Sequence, residues 1–339
     1  MGVLHRLGPK LLAGTASGAV AFVGAELSFR WYLERSYGRA VETYSNELYL
    51  LEPGTDHGFV LRPGAKRTNN IPGTAPPGGT DATWSFSIDD SGRRAIAARP
   101  DASDPFRVVA LGDSYTFGWA VEDDEAYPSV LADELAGEGI EVVNAGVPGY
   151  SSAQEASFAA AHWEALDPDL VVLGFVMNDA DPGRNAPIPP ELRYRLASSW
   201  LWEELKLRMG LADGPLGCRI QRHRPVLEQF AEGAPERTQC RQGLEALARL
   251  CADRSVPLVM FVFPGVPKLR KSGYPYRSVH ELVVQWGEEL GVPTFDLLPL
   301  VEDQTNGDLI VPGDGHPNAE TLRRFTEPIA AQVRAYAPR

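Results

Sequence analysis

Val108-Val109-Ala110-Leu111-Gly112-Asp113-Ser114-Tyr115-Thr116-Phe117-Gly118 is the stretch that decides how the chain is read. Its first four residues form an apolar run of strand length with no polar alternation, as in a strand buried on both faces. The run breaks at Gly112 into small and polar residues, as at the end of a strand. Further along, Val142-Val143, Leu170–Val176, Leu258–Phe263 and Thr294–Leu297 repeat the pattern. Between them, helices are expected over Glu125–Leu135, Gln154–Ala165, the apolar stripe Leu244, Leu247, Leu250 and Cys251, and Val279–Leu290. A last helix is expected over Ala319–Ala335. Strands that alternate with helices predict an α/β fold, a three-layer α/β/α sandwich around a parallel sheet of about five strands. Active groups in such sheets gather beyond the carboxyl ends of the strands.

Composition agrees with a globular chain and narrows its partners. Of 339 residues, 44% are hydrophobic and 23% charged, which excludes a disordered or multi-span membrane protein. The formal charge of −13 repels nucleic acid, and no basic stripe reverses it locally. Three cysteines are too few for a disulfide scaffold, and none has zinc-site spacing. The histidines His5, His57, His162, His223, His280 and His316 are scattered singly, so neither a metal site nor a cofactor is expected.

Four short blocks carry the chemistry. In Gly112–Gly118, Ser114 stands where a strand turns into a helix, although Gly-Asp-Ser equally describes a capping turn. It is not the G-x-S-x-G elbow, because residue 116 is Thr. Asn144-Ala145-Gly146-Val147-Pro148-Gly149-Tyr150 offers a glycine whose N–H can approach an oxyanion, or an ordinary loop glycine. Gly174–Asp179 offers the Asn178 amide as a donor, or a helix cap. Gly313-Asp314-Gly315-His316-Pro317-Asn318 puts a carboxylate two residues before an imidazole, the pairing that fixes the tautomer of a general base.

Taken together, Ser114, Gly146, Asn178 and His316 follow the order of the SGNH or GDSL-type hydrolases, which residues 105–335 resemble. The resemblance implies a Ser114 nucleophile and a His316 base oriented by Asp314. It also implies an oxyanion hole of the Ser114 and Gly146 N–H groups with the Asn178 side chain, supported by Asp113 and Asp179. The family's acid usually lies three residues before the His, where this chain has Gly313. The D-x-H spacing is similar to that of polysaccharide O-acetylation proteins. Val176 replaces the glycine usual two residues before the Asn, and Tyr115 replaces the Leu of the GDSL block.

The first forty residues carry a local charge of +3, which leaves −16 for the rest. Residues 11–29 are 19 weakly apolar residues interrupted by Glu26, about enough helix to cross a bilayer core. They are read as a membrane anchor, with a cleaved signal segment ending near Val23-Gly24-Ala25 or a cytosolic amphipathic helix as alternatives. A membrane-anchored or exported envelope location follows from the first two readings. Residues 41–105 are expected to form a β-rich lead-in with strands at Phe59–Pro63 and Trp84–Ile88, separated by turn residues 69–79. The main domain is then 106–339.

An insertion at 183–240 carries Leu196, Trp200, Leu201, Leu205 and Met209 at helical spacing. It is read either as a helix packed on the core or as a lid, with Trp200 and Trp202 against the substrate. In an oxidising compartment, Cys218 and Cys240 are candidates for a disulfide. The function expected is serine esterase action on a small acyl group, for which an acetyl ester on envelope carbohydrate is the candidate. The alternatives are an envelope O-acyltransferase and a non-catalytic carbohydrate-binding or assembly protein.

Overall fold

The apolar runs form the sheet. In the computed structural model, strands β5 (Phe106–Gly112), β6 (Ile140–Gly146), β7 (Leu170–Phe175), β8 (Leu258–Val262) and β9 (Thr294–Asp296) lie in the order β6-β5-β7-β8-β9. All four pairings are parallel. Every residue of β7 and β8 is buried, as their unbroken apolar character requires of strands covered on both faces. The structure describes residues 21–28, 31 and 48–338, except 53–54, 72–73, 75–79, 99, 101, 182–223 and 271.

Helix α1 (Ser114–Phe117) follows β5 at once, and α2 (Tyr127–Glu134) leads into β6. Helices α3 (Ser152–Leu166), α4 (Pro235–Asp253) and α5 (Arg277–Leu290) connect the remaining strands, and α6 (Ala319–Tyr336) closes the chain. Helix α3 packs on α4, and α2 packs on α6, which makes the two outer layers. The strand order reverses at β5, between β6 and β7, so the crevice beyond these two carboxyl ends is the topological switch point.

Three glycines make the seat on which that crevice is built. Gly112 lies between Gly146 and Gly174 in register, one glycine at the end of each of three neighbouring strands. A Cβ on Gly146 would stand 2.3 Å from the Phe117 nitrogen, and one on Gly112 or Gly174 would stand 2.1 or 2.6 Å from Thr116 Oγ1. Helix α1 can therefore lie flat across the strand ends only because the row has no side chains.

The lead-in is more ordered than its sequence pattern suggests. Strand β1 (Tyr49–Leu51) pairs antiparallel with β2 (Phe59–Leu61), and β3 (Lys66–Asn70) with β4 (Thr83–Ser87). Asn69 and Asn70, expected in a turn, belong to β3. That strand is Lys-Arg-Thr-Asn-Asn with alternately exposed residues, so it has no apolar alternation to reveal it. Leu48–Ala186 and His223–Arg339 form one compact unit, which includes these strands. Met1–Glu47 with Pro187–Arg222 form a second, in which residues 21–28 are helical and Phe22, Val23 and Leu27 are exposed.

Most of the expected membrane segment, 11–29, lies outside the described residues. Among the described residues, no helix is long and apolar enough to cross a membrane. Residues 183–223 of the insertion, with Trp200, Trp202 and Cys218, also lie outside them. The expected partner of Cys218 is described: Cys240 sits inside α4 as a buried free thiol, 3.6 Å from Ser152 Oγ. Cys240 thus faces the α3–α4 contact, and the Cys218 end of the expected bridge lies outside the described residues.

Candidate active site

Ser114 opens α1 at the switch point. The Asp113 side chain caps this short helix by accepting the Tyr115 N–H at 2.8 Å, and Gly118 ends it in a left-handed conformation with φ +85°. The N–H of Ser114 heads the helix, where no helical carbonyl is available to accept it.

His316 comes to Ser114 from the far end of the chain. Its Nε2 lies 2.9 Å from Ser114 Oγ, and its Nδ1 lies 2.5 Å from Asp314 Oδ1. Asp314 also accepts the His316 main-chain N–H at 3.2 Å and the Trp119 indole N–H at 3.2 Å. Burial alone would raise the Asp314 pKa, but the hydrogen bonds from His316 and Trp119 and the imidazole charge hold it below the usual carboxylate value. Asp314 thus stays ionised where it can fix the Nδ1–H tautomer of His316. The turn that carries both residues is tied by the Val311 N–H, which donates to the His316 carbonyl at 2.8 Å.

Asn178 stands beside this line. Its side-chain amide donates to Asp113 Oδ2 at 2.7 Å, which leaves the second N–H of the same nitrogen for another acceptor. Asp113 therefore serves both as cap and as anchor for Asn178. Burial raises its pKa against the opposing hydrogen bonds from Asn178 and Tyr115.

Gly146 sits differently from its expected role. Its N–H donates to Asn144 Oδ1 at 3.0 Å, so it does not face Ser114 as a free donor. Its close approach is to the back of α1 instead. Three residues on, the buried Gly149 adopts φ +87°, and no described residue accepts its N–H. Gly149 belongs to the same Asn144–Tyr150 block, where its flanking Pro148 and Tyr150 are the available signal.

Other participants have no sequence signal. Trp119 lies just past the Ser114 block, with its ring 6.3 Å from His316 and 5.0 Å from Trp84. The Arg94 side chain, fully buried, donates to the Phe117, Gly118 and Val121 carbonyls and to Asp123 Oδ1, so it ties down the end of α1. Sequence spacing places no two histidines together, yet the fold brings His57 and His162 to Glu52.

Beneath the site lie two more acids. Asp179 accepts the Val176 N–H at 3.1 Å through Oδ2, while its Oδ1 and both carboxyl oxygens of Glu155 have no partner among the described residues. Burial pushes both acids well above the usual range, helped by the charge of Asp113 at Glu155 and by the charges of Glu155 and Asp113 at Asp179. A carboxyl with a raised folded pKa keeps a proton that the unfolded chain loses near 4.5, so stability falls as pH rises past that value. Glu155→Gln removes the penalty. Its melting temperature is expected to match wild type near pH 4.5 and to exceed it increasingly towards pH 9. The difference in stability should widen by about 1.4 kcal/mol for each step of one in pH until the buried acid ionises. Parallel melting curves across that range would contradict this.

A model of the GDSL-like Lipase/Acylhydrolase family matches residues 110–324. No curated protein matches the sequence. Among solved structures, TesA is 18% identical with a TM-score of 0.43, covering 68% of this chain and 99% of TesA. The psychrotrophic esterase EstA from Pseudoalteromonas sp., inhibited by monoethylphosphonate, is 15% identical with a TM-score of 0.43, over 68% and 100% of the two chains. AlinE4, an SGNH-hydrolase family esterase, is 19% identical with a TM-score of 0.37, over 70% and 100%.

Proposed function

Because the chain belongs to the GDSL-like lipase/acylhydrolase family and is a carboxylic-ester hydrolase, we propose that it acts through a Ser114 acyl-enzyme on a small acyl group. The observation that carries this reading is the hydrogen-bonded line Ser114 Oγ, His316 Nε2, His316 Nδ1 and Asp314 Oδ1. As Oγ attacks the ester carbonyl carbon, its proton passes to His316 Nε2, and Asp314 stabilises the imidazolium. The carbonyl oxygen becomes an oxyanion. Its donors are the Ser114 N–H and the free N–H of Asn178. Collapse expels the alcohol, which takes the proton from His316. Water then repeats the sequence and releases the acid.

The substrate proposed is an acetyl ester on envelope carbohydrate. The partly exposed Trp119 ring beside His316 supports this reading, since sugar C–H faces pack on indole rings. The weakly apolar residues 11–29 support the envelope location. The test is an ester panel, with and without carbohydrate acceptors, together with labelling by an activated serine probe. Turnover of short acyl esters without acceptor, with the label on Ser114, is expected. Acceptor-dependent turnover would make the protein an O-acyltransferase, and an unlabelled Ser114 would leave only a binding role.

A further inference from the structure

Where the start of the lead-in meets α3, three side chains converge that the proposed reaction does not use. Glu52 Oε2 lies 2.7 Å from His57 Nε2 and 3.4 Å from His162 Nε2. All three donor atoms fall within 4.8 Å of one another. We propose that Glu52, His57 and His162 form a binding site for a divalent transition metal of the zinc class, which pins the lead-in to α3.

Two imidazoles and a carboxylate are a donor set that zinc accepts, and they leave a fourth position for water. Tetrahedral bonds of about 2.0–2.1 Å place donor atoms about 3.3 Å apart. The Glu52–His162 separation is already close to that value, and the Glu52–His57 hydrogen bond needs only to open.

His162 points to a ligand independently of the spacing. Its Nε2 is buried and has only the long 3.4 Å approach of Glu52 Oε2 among the described residues.

His57 is oriented as a ligand would be. Ser157 Oγ lies 3.0 Å from His57 Nδ1 and accepts the His57 main-chain N–H at 3.2 Å. A hydroxyl can donate to Nδ1 or accept from it. Nε2 can therefore carry the hydrogen that goes to Glu52 or turn its lone pair to a metal, and such an outer partner fixes the ring in either state. Glu52 and His162 are partly exposed, with side chains 31% and 25% accessible, so an ion has a path in. The charge of Arg93 opposes a cation here, and that side chain is held over the Phe158 ring at 4.8 Å. This makes the site weaker than a thiolate cage.

The site would act on more than its ligands. The chain before and after it supplies β1 and β2, where Tyr49 donates to the Pro148 carbonyl at 3.3 Å and Phe59 accepts from the Tyr150 hydroxyl. Both bonds hold the loop that carries Gly149.

The test uses the full chain, stripped with a chelator and titrated with Zn²⁺ against a chromophoric competitor. One high-affinity Zn²⁺ per chain is expected, with a higher melting temperature at saturation and no comparable effect of Mg²⁺. Glu52→Gln and His162→Gln should each weaken Zn²⁺ binding by about 10–100-fold and abolish the thermal shift. His316→Ala should bind Zn²⁺ as wild type does, which separates this site from the Ser114 triad. Absence of stoichiometric binding by wild type, equal affinity in all variants, or loss of binding in His316→Ala would each overturn the proposal. If His162→Gln folds poorly, the milder Glu52→Gln decides. None of these outcomes depends on the ester reaction.

Discussion

Ser114→Ala is expected to lower kcat for ester hydrolysis by at least about 10³-fold while the protein folds as before. The hydroxyl has both a base at hydrogen-bond distance and a place at the strand edge. Its removal costs the fold little, because the cap of α1 is made by Asp113 rather than by Ser114. His316→Ala should lose a similar factor, and the double variant little more, since proton acceptor and nucleophile act as a unit. Asp314→Asn should lose less, because the His316 main-chain N–H and the Trp119 indole still hold the side chain in place. Steady-state kinetics on the four proteins, with circular dichroism as the folding control, checks the series. Near-normal turnover by pure Ser114→Ala protein would end the mechanism.

Arg94→Ala should be the most destabilising single change outside the triad, at about 2–4 kcal/mol, since each buried acceptor left without its donor costs about 1–3 kcal/mol. The fully buried guanidinium serves three main-chain carbonyls and one carboxylate, and it stacks over Phe117 at 4.8 Å. Alanine leaves the Gly118 and Val121 carbonyls without this donor, and Phe117 with only the Asn144 amide at 3.3 Å. Lysine should rescue little, because an ammonium lacks the planar fork that reaches Phe117, Val121 and Asp123 together. Denaturant midpoints measure the loss. Because α1 carries Ser114, kcat should fall as well at temperatures where the variant remains folded. A stability within about 0.5 kcal/mol of wild type would show that the carbonyls find water instead.

The parts of this molecule that a linear reading reaches are those with local periodicity. Val108–Leu111, Leu170–Phe175 and Leu258–Val262 are buried on both faces, so burial alone makes them apolar and visible. Ser114, Asn178 and His316 each follow a strand or its neighbouring loop, and a parallel sheet must bring such ends to one edge. What escapes depends on contacts between distant segments. Arg94 is one arginine among many until its carbonyl partners more than twenty residues away are in place. Gly146 reads as an N–H donor because glycines near oxyanions supply one. Its actual contribution is to be narrow, since a Cβ there would strike the Phe117 nitrogen. Strand β3 is held by pairing with β4 rather than by an apolar face, and pattern reading detects only the latter.

Ser114 and His316 are 202 residues apart. A ribosome adds about 5–20 residues per second, so roughly 10–40 s pass between synthesis of the nucleophile and of its base. During that interval the nascent chain can assemble β5, its glycine seat and the Arg94 clamp, all of which are made early. The serine then waits as an ordinary alcohol. On the proposed mechanism, reactivity would arrive only with the Gly313–His316 turn, and the unfinished polypeptide would carry no activated serine.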